Sequence, residues 1–188
     1  MTFARLVLAA ATNRPVPEPR HAKFPPRQLA QGVIQYYMTN IYPLFPAFPE
    51  TALDPVLDEM YLDHGQRQIK PADYWLLYLV LAIGSVAQSR SSQDDFYRNG
   101  VEFVSRALAV ADQALTPGYV TQIQSLLLLA QYATLDPAHF DSWHLIGFAC
   151  RAVIDLGYHQ DPPQTHALDK AYLDARRRIF YCVYSLDR

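Results

Sequence analysis

Asp94-Asp95-Phe96-Tyr97-Arg98 sets two carboxylates side by side. Such a pair could hold magnesium over a diphosphate, because a hard cation takes oxygen ligands. Arg98 stands at the fifth position and would displace the cation. The aspartates are better placed to open a helix, where acids complement the positive end of the helix dipole. Histidines are the next candidates. His139 and His144 lie five positions apart, off the spacing that aims two imidazoles at one zinc, and Pro162 and Pro163 separate His159 from His166. The two cysteines, Cys150 and Cys182, sit in apolar helical pattern and in no metal-ligand spacing. They read as buried free thiols, which fits a reducing compartment. Neither a Gly-x-x-x-x-Gly-Lys phosphate loop nor a Gly-x-Ser-x-Gly nucleophile elbow occurs. No residue is therefore assigned as catalytic, cofactor-binding or metal-binding, and the chain reads as a non-enzyme.

Three successive arginines, Arg176, Arg177 and Arg178, could grip phosphate. On a helix, neighbouring positions turn by about 100°, so the three guanidiniums fan over most of the circumference and cannot meet one DNA backbone together. Asp174 stands four before Arg178 in the favourable acid-first order. Ile179, Phe180, Tyr181, Cys182, Val183, Tyr184 and Leu186 follow, so the arginines border an apolar helix. They are expected to pair with acids such as Asp155, Asp161 or Asp187, and alanine at 177 or 178 is expected to act through folding. Net charge agrees. The chain of 188 residues carries a formal −2, while residues 1–27 hold five basic side chains against Glu18 alone, so the body is acidic. An acidic body argues against a broad phosphate-binding face.

Helices must position these groups. Residues 13–26 hold five prolines and no apolar period, so residues 1–28 read as a proline-rich, basic linker or arm. The apolar run Leu6–Ala11 is too short for a secretory signal, and "YWLLYLVLAIGSVA" is too short for a membrane span. From residue 29, Leu29, Val33, Ile34, Tyr37 and Ile41 recur at helical spacing. "YPLFPAFPE" breaks that helix. Asp54-Pro55 opens a second, which Gly65 ends. Pro71 opens a third, running to about Ser89. A fourth begins near Asp94 and buries Phe96, Val101, Val104, Leu108 and Ala111. Thr116-Pro117 caps a fifth, Asp136-Pro137 a sixth that ends at Gly157, and Asp169 a seventh. The sixth is apolar nearly all round and is expected to be a central core helix, with Arg151 and Asp155 paired at i, i+4. No alternating strand pattern appears. The expected fold is all-α: an irregular bundle of six to seven helices packed as antiparallel hairpins over residues 29–188.

At this point whole phrases become informative. "SWHLIGFACRAVIDLGYHQDP" followed by "ARRRIFYCVYSLDR" resembles the middle homology region of fungal transcription factors with a binuclear zinc cluster. The matching positions are Trp143, Leu156, Gly157, His159, Arg176, Arg177, Arg178, Phe180, Leu186, Asp187 and Arg188, with Arg151 and Asp155 between them. "YYMTNIYPLFPAF" and "QIQSLLLLAQY" resemble the family's opening helix and inner helix. The resemblance implies a regulatory domain, residues 29–188, acting in RNA polymerase II transcription in the nucleus. It implies DNA contact only through a zinc cluster, which two cysteines cannot build, with transcriptional co-regulators or a small-molecule effector as partners and homodimerisation in a full-length protein. No membrane contact is implied. The family domain continues beyond its leucine-aspartate-arginine phrase, so a chain ending at Arg188 is expected to be truncated at its C-terminus. Two other readings stand beside this one. A helical interaction scaffold of the tetratricopeptide kind would show a period of about 34 residues, which is not seen. A helical isoprenoid-type enzyme would need an intact second aspartate box.

Overall fold

A computed structural model describes residues 1–19, 24–62, 69–162 and 169–188. The helices are α1 (Phe3–Ala11), α2 (Arg27–Asn40), α3 (Leu53–Met60), α4 (Pro71–Gln88), α5 (Asp95–Leu108), α6 (Ala111–Ala114), α7 (Val120–Leu135), α8 (Ser142–Asp155) and α9 (Lys170–Asp187). A 3-10 turn, Glu50–Ala52, leads into α3. The fold is all-α. Among the described residues there is no strand, only an isolated bridge between Thr12 and Phe140.

α4 and α7 form the centre. In α4 every residue from Leu77 to Val86 is buried, and in α7 every residue from Ser125 to Ala133. Each is apolar round most of its circumference, so each needs neighbours on several sides. α4 packs against α2, α3, α5, α6 and α7, and α7 packs against α4, α8 and α9. Trp75, fully buried in α4, donates its indole N–H to the Ser125 carbonyl of α7 at 3.3 Å. Tyr37 of α2 donates to Gln131 Oε1 of α7 at 3.1 Å, and burial holds that phenol protonated well above its ordinary range.

The structure revises several local expectations. Among the described residues nine helices stand against the expected six or seven, and the additions are α1 and the four-residue α6. α1 lies inside the stretch expected as an arm. Thr2 caps it by accepting the Arg5 N–H at 3.3 Å, and Ala4, Val7 and Ala11 bury one face. Phe3 meets Phe148 of α8 edge-on at 5.9 Å. So short a helix is marginal alone and is held by the surface it covers. α3 begins at Leu53, so Asp54 lies within it and caps nothing; Gly65 lies outside the described residues. Asp94 does cap α5. Phe96, expected inside, is 43% exposed, in the first turn of α5 ahead of the buried Gly100 and Phe103. Residues 116–119 form a turn, with Gly118 at φ +92°, and Tyr119 precedes α7 in place of a Thr116 cap.

Asp136 is the largest revision. It does not cap a helix: α8 starts at Ser142, capped by Asp141, which accepts the Trp143 N–H at 2.9 Å. The Asp136 side chain is instead 3% exposed. It accepts from Tyr97 Oη at 3.2 Å and Tyr132 Oη at 2.8 Å, and lies 2.7 Å from His139 Nδ1. A buried carboxylate requires such a set of partners. The loop around it is tied to α1 by Asn13 N–H to the His139 carbonyl and Asp141 N–H to the Ala11 carbonyl, both 2.8 Å.

α8, expected to be the central helix, lies at the periphery. It buries Leu145, Ala149, Ala152 and Val153 against α7, α9 and α1, while Trp143 is 76% and Ile154 58% exposed. Its apolar circumference is not matched by neighbours on every side among the described residues.

Candidate functional site

The phrases singled out in the sequence converge where α8 ends and α9 passes it. The chain leaves α8 through a left-handed Gly157 at φ +67°. Tyr158 N–H bonds the Val153 carbonyl at 2.8 Å and Gly157 N–H the Ile154 carbonyl at 2.9 Å. This pair of bonds is the Schellman ending, which glycine at that position permits without strain. The Gly157 carbonyl then faces outward as an acceptor, and Arg176 of α9 donates to it. The same nitrogen reaches the Gln160 carbonyl at 3.3 Å, and the guanidinium lies over the Tyr158 ring at 4.3 Å. A cation at a helix C-terminus also complements the dipole. Arg176 therefore clamps the end of α8 onto α9. Its Nε is buried without an acceptor among the described residues, and an unmade bond of that kind costs about 1–3 kcal/mol.

Arg177 and Arg178 behave differently. Arg177 forks onto Asp161 at 3.2–3.3 Å, with both side chains more than half exposed. Such a pair contributes about 0–1 kcal/mol, well below the folding role expected of it. Arg178 makes no hydrogen bond or ion pair among the described residues. Its charge is close enough to Tyr42 and Cys182 to favour the ionised form of each. Burial outweighs that effect at Cys182 and pushes the thiol up to about 11. Asp155 and Asp187, named as possible partners, hold no ion pair among the described residues, and neither does Arg151, so the i, i+4 pair on α8 is not formed. Asp187 instead faces Cys150, whose thiol is pushed up by burial and by that carboxylate.

The remaining motif residues are spread along α8 and α9. His159 is exposed beyond the Gly157 turn. Phe180 stacks against Tyr184 at 6.3 Å, and the Arg188 guanidinium lies over the Tyr184 ring at 5.2 Å. Trp143 stands at the far end of α8, edge-on to His144 at 5.0 Å. His166 lies outside the described residues. Among the described residues no group of three or more His, Cys, Asp or Glu could hold a metal, and no helix is long and apolar enough to cross a membrane.

The aspartate pair at the head of α5 is committed to structure. Asp94 accepts the Tyr97 N–H at 2.8 Å, Arg90 N–H at 2.8 Å, Ser91 N–H at 3.2 Å and the Ser89 hydroxyl at 3.0 Å. The Tyr97 and Arg90 amides lead in holding its carboxyl down to about 2. Asp95 pairs with Arg98. Neither offers a diphosphate a metal.

Two cavities share Arg178 as a wall. One, about 160 Å³, lies between the Pro46–Pro49 turn, the N-terminal half of α7, Tyr158 and α9. The other, about 300 Å³, lies across Arg178 and is lined by Leu44, Asp174, Arg177 and Tyr181. The proline-aromatic turn between them is fixed from within and from α7. Tyr42 Oη donates to the Phe48 carbonyl at 2.6 Å, and Gln124 Nε2 to the Ala47 carbonyl at 2.8 Å. A larger cavity of about 460 Å³ lies elsewhere, beside α5 and His139, with Glu18, Glu102 and Arg98 mixed on its walls. Sequence reasoning named the arginines and the turn but missed that they face one another. Gln124 and Tyr158 carried no local signal of that meeting.

An all-helical fold of this kind hosts many functions. Comparison with known proteins narrows this. The family described as "Fungal specific transcription factor domain" matches residues 34–188, and the chain belongs to that family. Its members are transcription regulators, not enzymes. The chain is 24% identical to the positive regulator of purine utilization of Emericella nidulans, over 89% of this chain and 21% of that protein. It is 27% identical to pyrimidine pathway regulatory protein 1 of Saccharomyces cerevisiae, over 61% of this chain and 12% of that one. It is 27% identical to the lactose regulatory protein LAC9 of Kluyveromyces lactis, over 84% and 17% respectively. The chain thus spans between 12% and 21% of the length of these relatives. No solved structure matches it.

Proposed function

We propose that residues 29–188, with α1 packed onto them, act as the regulatory domain of a fungal transcription factor controlling RNA polymerase II transcription in the nucleus. DNA is read by a zinc cluster that this chain's two cysteines cannot form. The domain sets output once DNA is bound, through a co-regulator or a small-molecule effector, and homodimerisation belongs to the full-length protein. The observation that carries this reading is the family match over residues 34–188, reinforced by relatives named as regulators of purine, pyrimidine and lactose metabolism. The geometry supports it: the arginines that could have gripped DNA are spent on a helix end and on Asp161, leaving only Arg178 without a partner among the described residues.

The test is a fusion in yeast. Residues 1–188 are inserted between a heterologous DNA-binding domain and an activation segment, and reporter transcript is compared with a fusion carrying a flexible linker of equal length. The domain is expected to change output at least threefold. Equal output from both fusions under every carbon and nitrogen source tried would overturn the regulatory reading.

A further inference from the structure

We propose that the 160 Å³ cavity between the Pro46–Pro49 turn and α9 binds a small organic anion: a carboxylate carried on a compact apolar or aromatic body. The proposal deepens the regulatory reading, but the binding itself does not depend on it.

Size comes first. A cavity of about 150 Å³ admits a benzene-sized body. Phe48, Val120 and Ile179 supply apolar wall of the kind that receives such a ring. Charge comes second. Arg176 and Arg178 both line the cavity, and among the described residues no acidic side chain does. A concavity walled by one sign of charge concentrates the opposite sign. Across Arg178 the neighbouring cavity carries Asp174 beside Arg177, so its positive charge is partly offset and an anion is drawn more strongly to the first.

Unused donors come third. Arg176 spends one terminal nitrogen on Gly157 and Gln160 and makes no hydrogen bond through the other among the described residues. Arg178 has no partner among the described residues. Two guanidiniums with free N–H groups on one cavity match the two oxygens of a carboxylate, whose lone pairs take forked donors. A neutral amide satisfies them less well, and an ammonium is repelled.

The site is also built in advance. Tyr42 and Gln124 hold the turn, while Gly157 and the Tyr158 ring hold Arg176. A preformed site avoids the ordering cost that weakens small-ligand binding. The placement suggests a consequence. A bound carboxylate joins the turn after α2 to the α8–α9 clamp, three segments far apart in sequence.

The test uses sodium benzoate as probe, titrated into the purified chain at constant ionic strength and followed by saturation-transfer NMR. Benzamide and benzylamine serve as neutral and cationic counterparts. Benzoate is expected to saturate at low millimolar concentration or below, with benzamide at least tenfold weaker and benzylamine silent. Arg178→Gln is expected to weaken benzoate at least tenfold without lowering Tm, since the side chain has no hydrogen-bond or ion-pair partner among the described residues; tenfold corresponds to about 1.4 kcal/mol. Ala175→Leu, which fills the cavity from α9, is expected to abolish saturation. Benzoate and benzamide of equal affinity, no saturation by benzoate, or full benzoate binding by Arg178→Gln would each overturn the site. A failed titration leaves the regulatory reading standing, and an unresponsive reporter leaves a measured benzoate site standing.

Discussion

Replacing Gly84 with alanine places a methyl group where α4 meets α2. A Cβ at that position would lie 2.9 Å from Val33 Cγ1 and 2.9 Å from the Val33 carbonyl oxygen, with Tyr37 Cβ at 3.5 Å. The carbonyl belongs to α2's own backbone ladder, so it cannot turn aside as a side-chain tip would. The helices must part by several tenths of an ångström, and overpacking of this kind costs about 1–3 kcal/mol. Against it stands the gain of about 1 kcal/mol when glycine inside a helix becomes alanine. Because the backbone carbonyl cannot yield, the cost lies in the upper part of that range, about 2–3 kcal/mol, and the net is a loss of about 1–2 kcal/mol. For a chain of this size that is a fall of about 3–6 °C in Tm. Gly32, in α2, provides the control, because a Cβ there meets nothing within 4 Å. Gly32→Ala receives only the helix gain and should raise Tm by about 2–4 °C. Thermal melts followed by circular dichroism at 222 nm, with both variants beside the parent, decide the matter. If Gly84→Ala melts at or above the parent, the close approach of α2 and α4 is wrong.

Arg176→Ala removes the clamp on the end of α8 and should cost about 2–3 kcal/mol, whereas Arg177→Ala removes an exposed pair and should cost less than about 1 kcal/mol; urea denaturation midpoints test the ranking, and equal losses contradict it. Asp136→Ala strands the Tyr97 and Tyr132 hydroxyls and His139, and should lower stability by about 3 kcal/mol, while Asp141→Ala, losing a cap and a half-exposed contact with His144, should cost about 1 kcal/mol; calorimetry of the two variants separates them. The Cys182 thiol, pushed up to about 11 by burial, should resist iodoacetamide at pH 8 in the native state and react on unfolding, as mass spectrometry will show. Because the folded pKa lies above the ordinary thiol value, the stability it carries is whole below that value and is lost as pH rises toward 11. Native and unfolded chains alkylated at Cys182 at the same rate would contradict its burial.

The elements legible in the sequence were those with local signals. Pro71 opening α4, Asp94 capping α5 and Gly157 ending α8 are each set by a residue's own conformational preference or hydrogen-bonding reach. α1 was not legible, because nine residues following a single threonine cap hold together only against α8 and α6. Asp136 misled for a related reason. Aspartate before proline has the grammar of a helix start, but the Tyr97 that claims its carboxylate lies 39 positions away. The apolar circumference of α8 promised burial, yet burial depends on how many neighbours arrive, and Trp143 and Ile154 meet none that cover them. At the candidate site the words could be read but not their meeting. Nothing local connects Arg176 to the Gly157 carbonyl 19 positions earlier, or the Pro46–Pro49 turn to α9.

On the proposed reading, this domain sets transcriptional output without reading DNA. Promoter occupancy and transcript, measured together on one reporter by chromatin immunoprecipitation and quantitative PCR, test it most directly. Inserting residues 1–188 into the yeast fusion should change transcript at least threefold while occupancy of the cognate operator stays within about a quarter of the linker control. Transcript that follows occupancy in strict proportion, or occupancy redirected to new sequences by the insert, would contradict the claim.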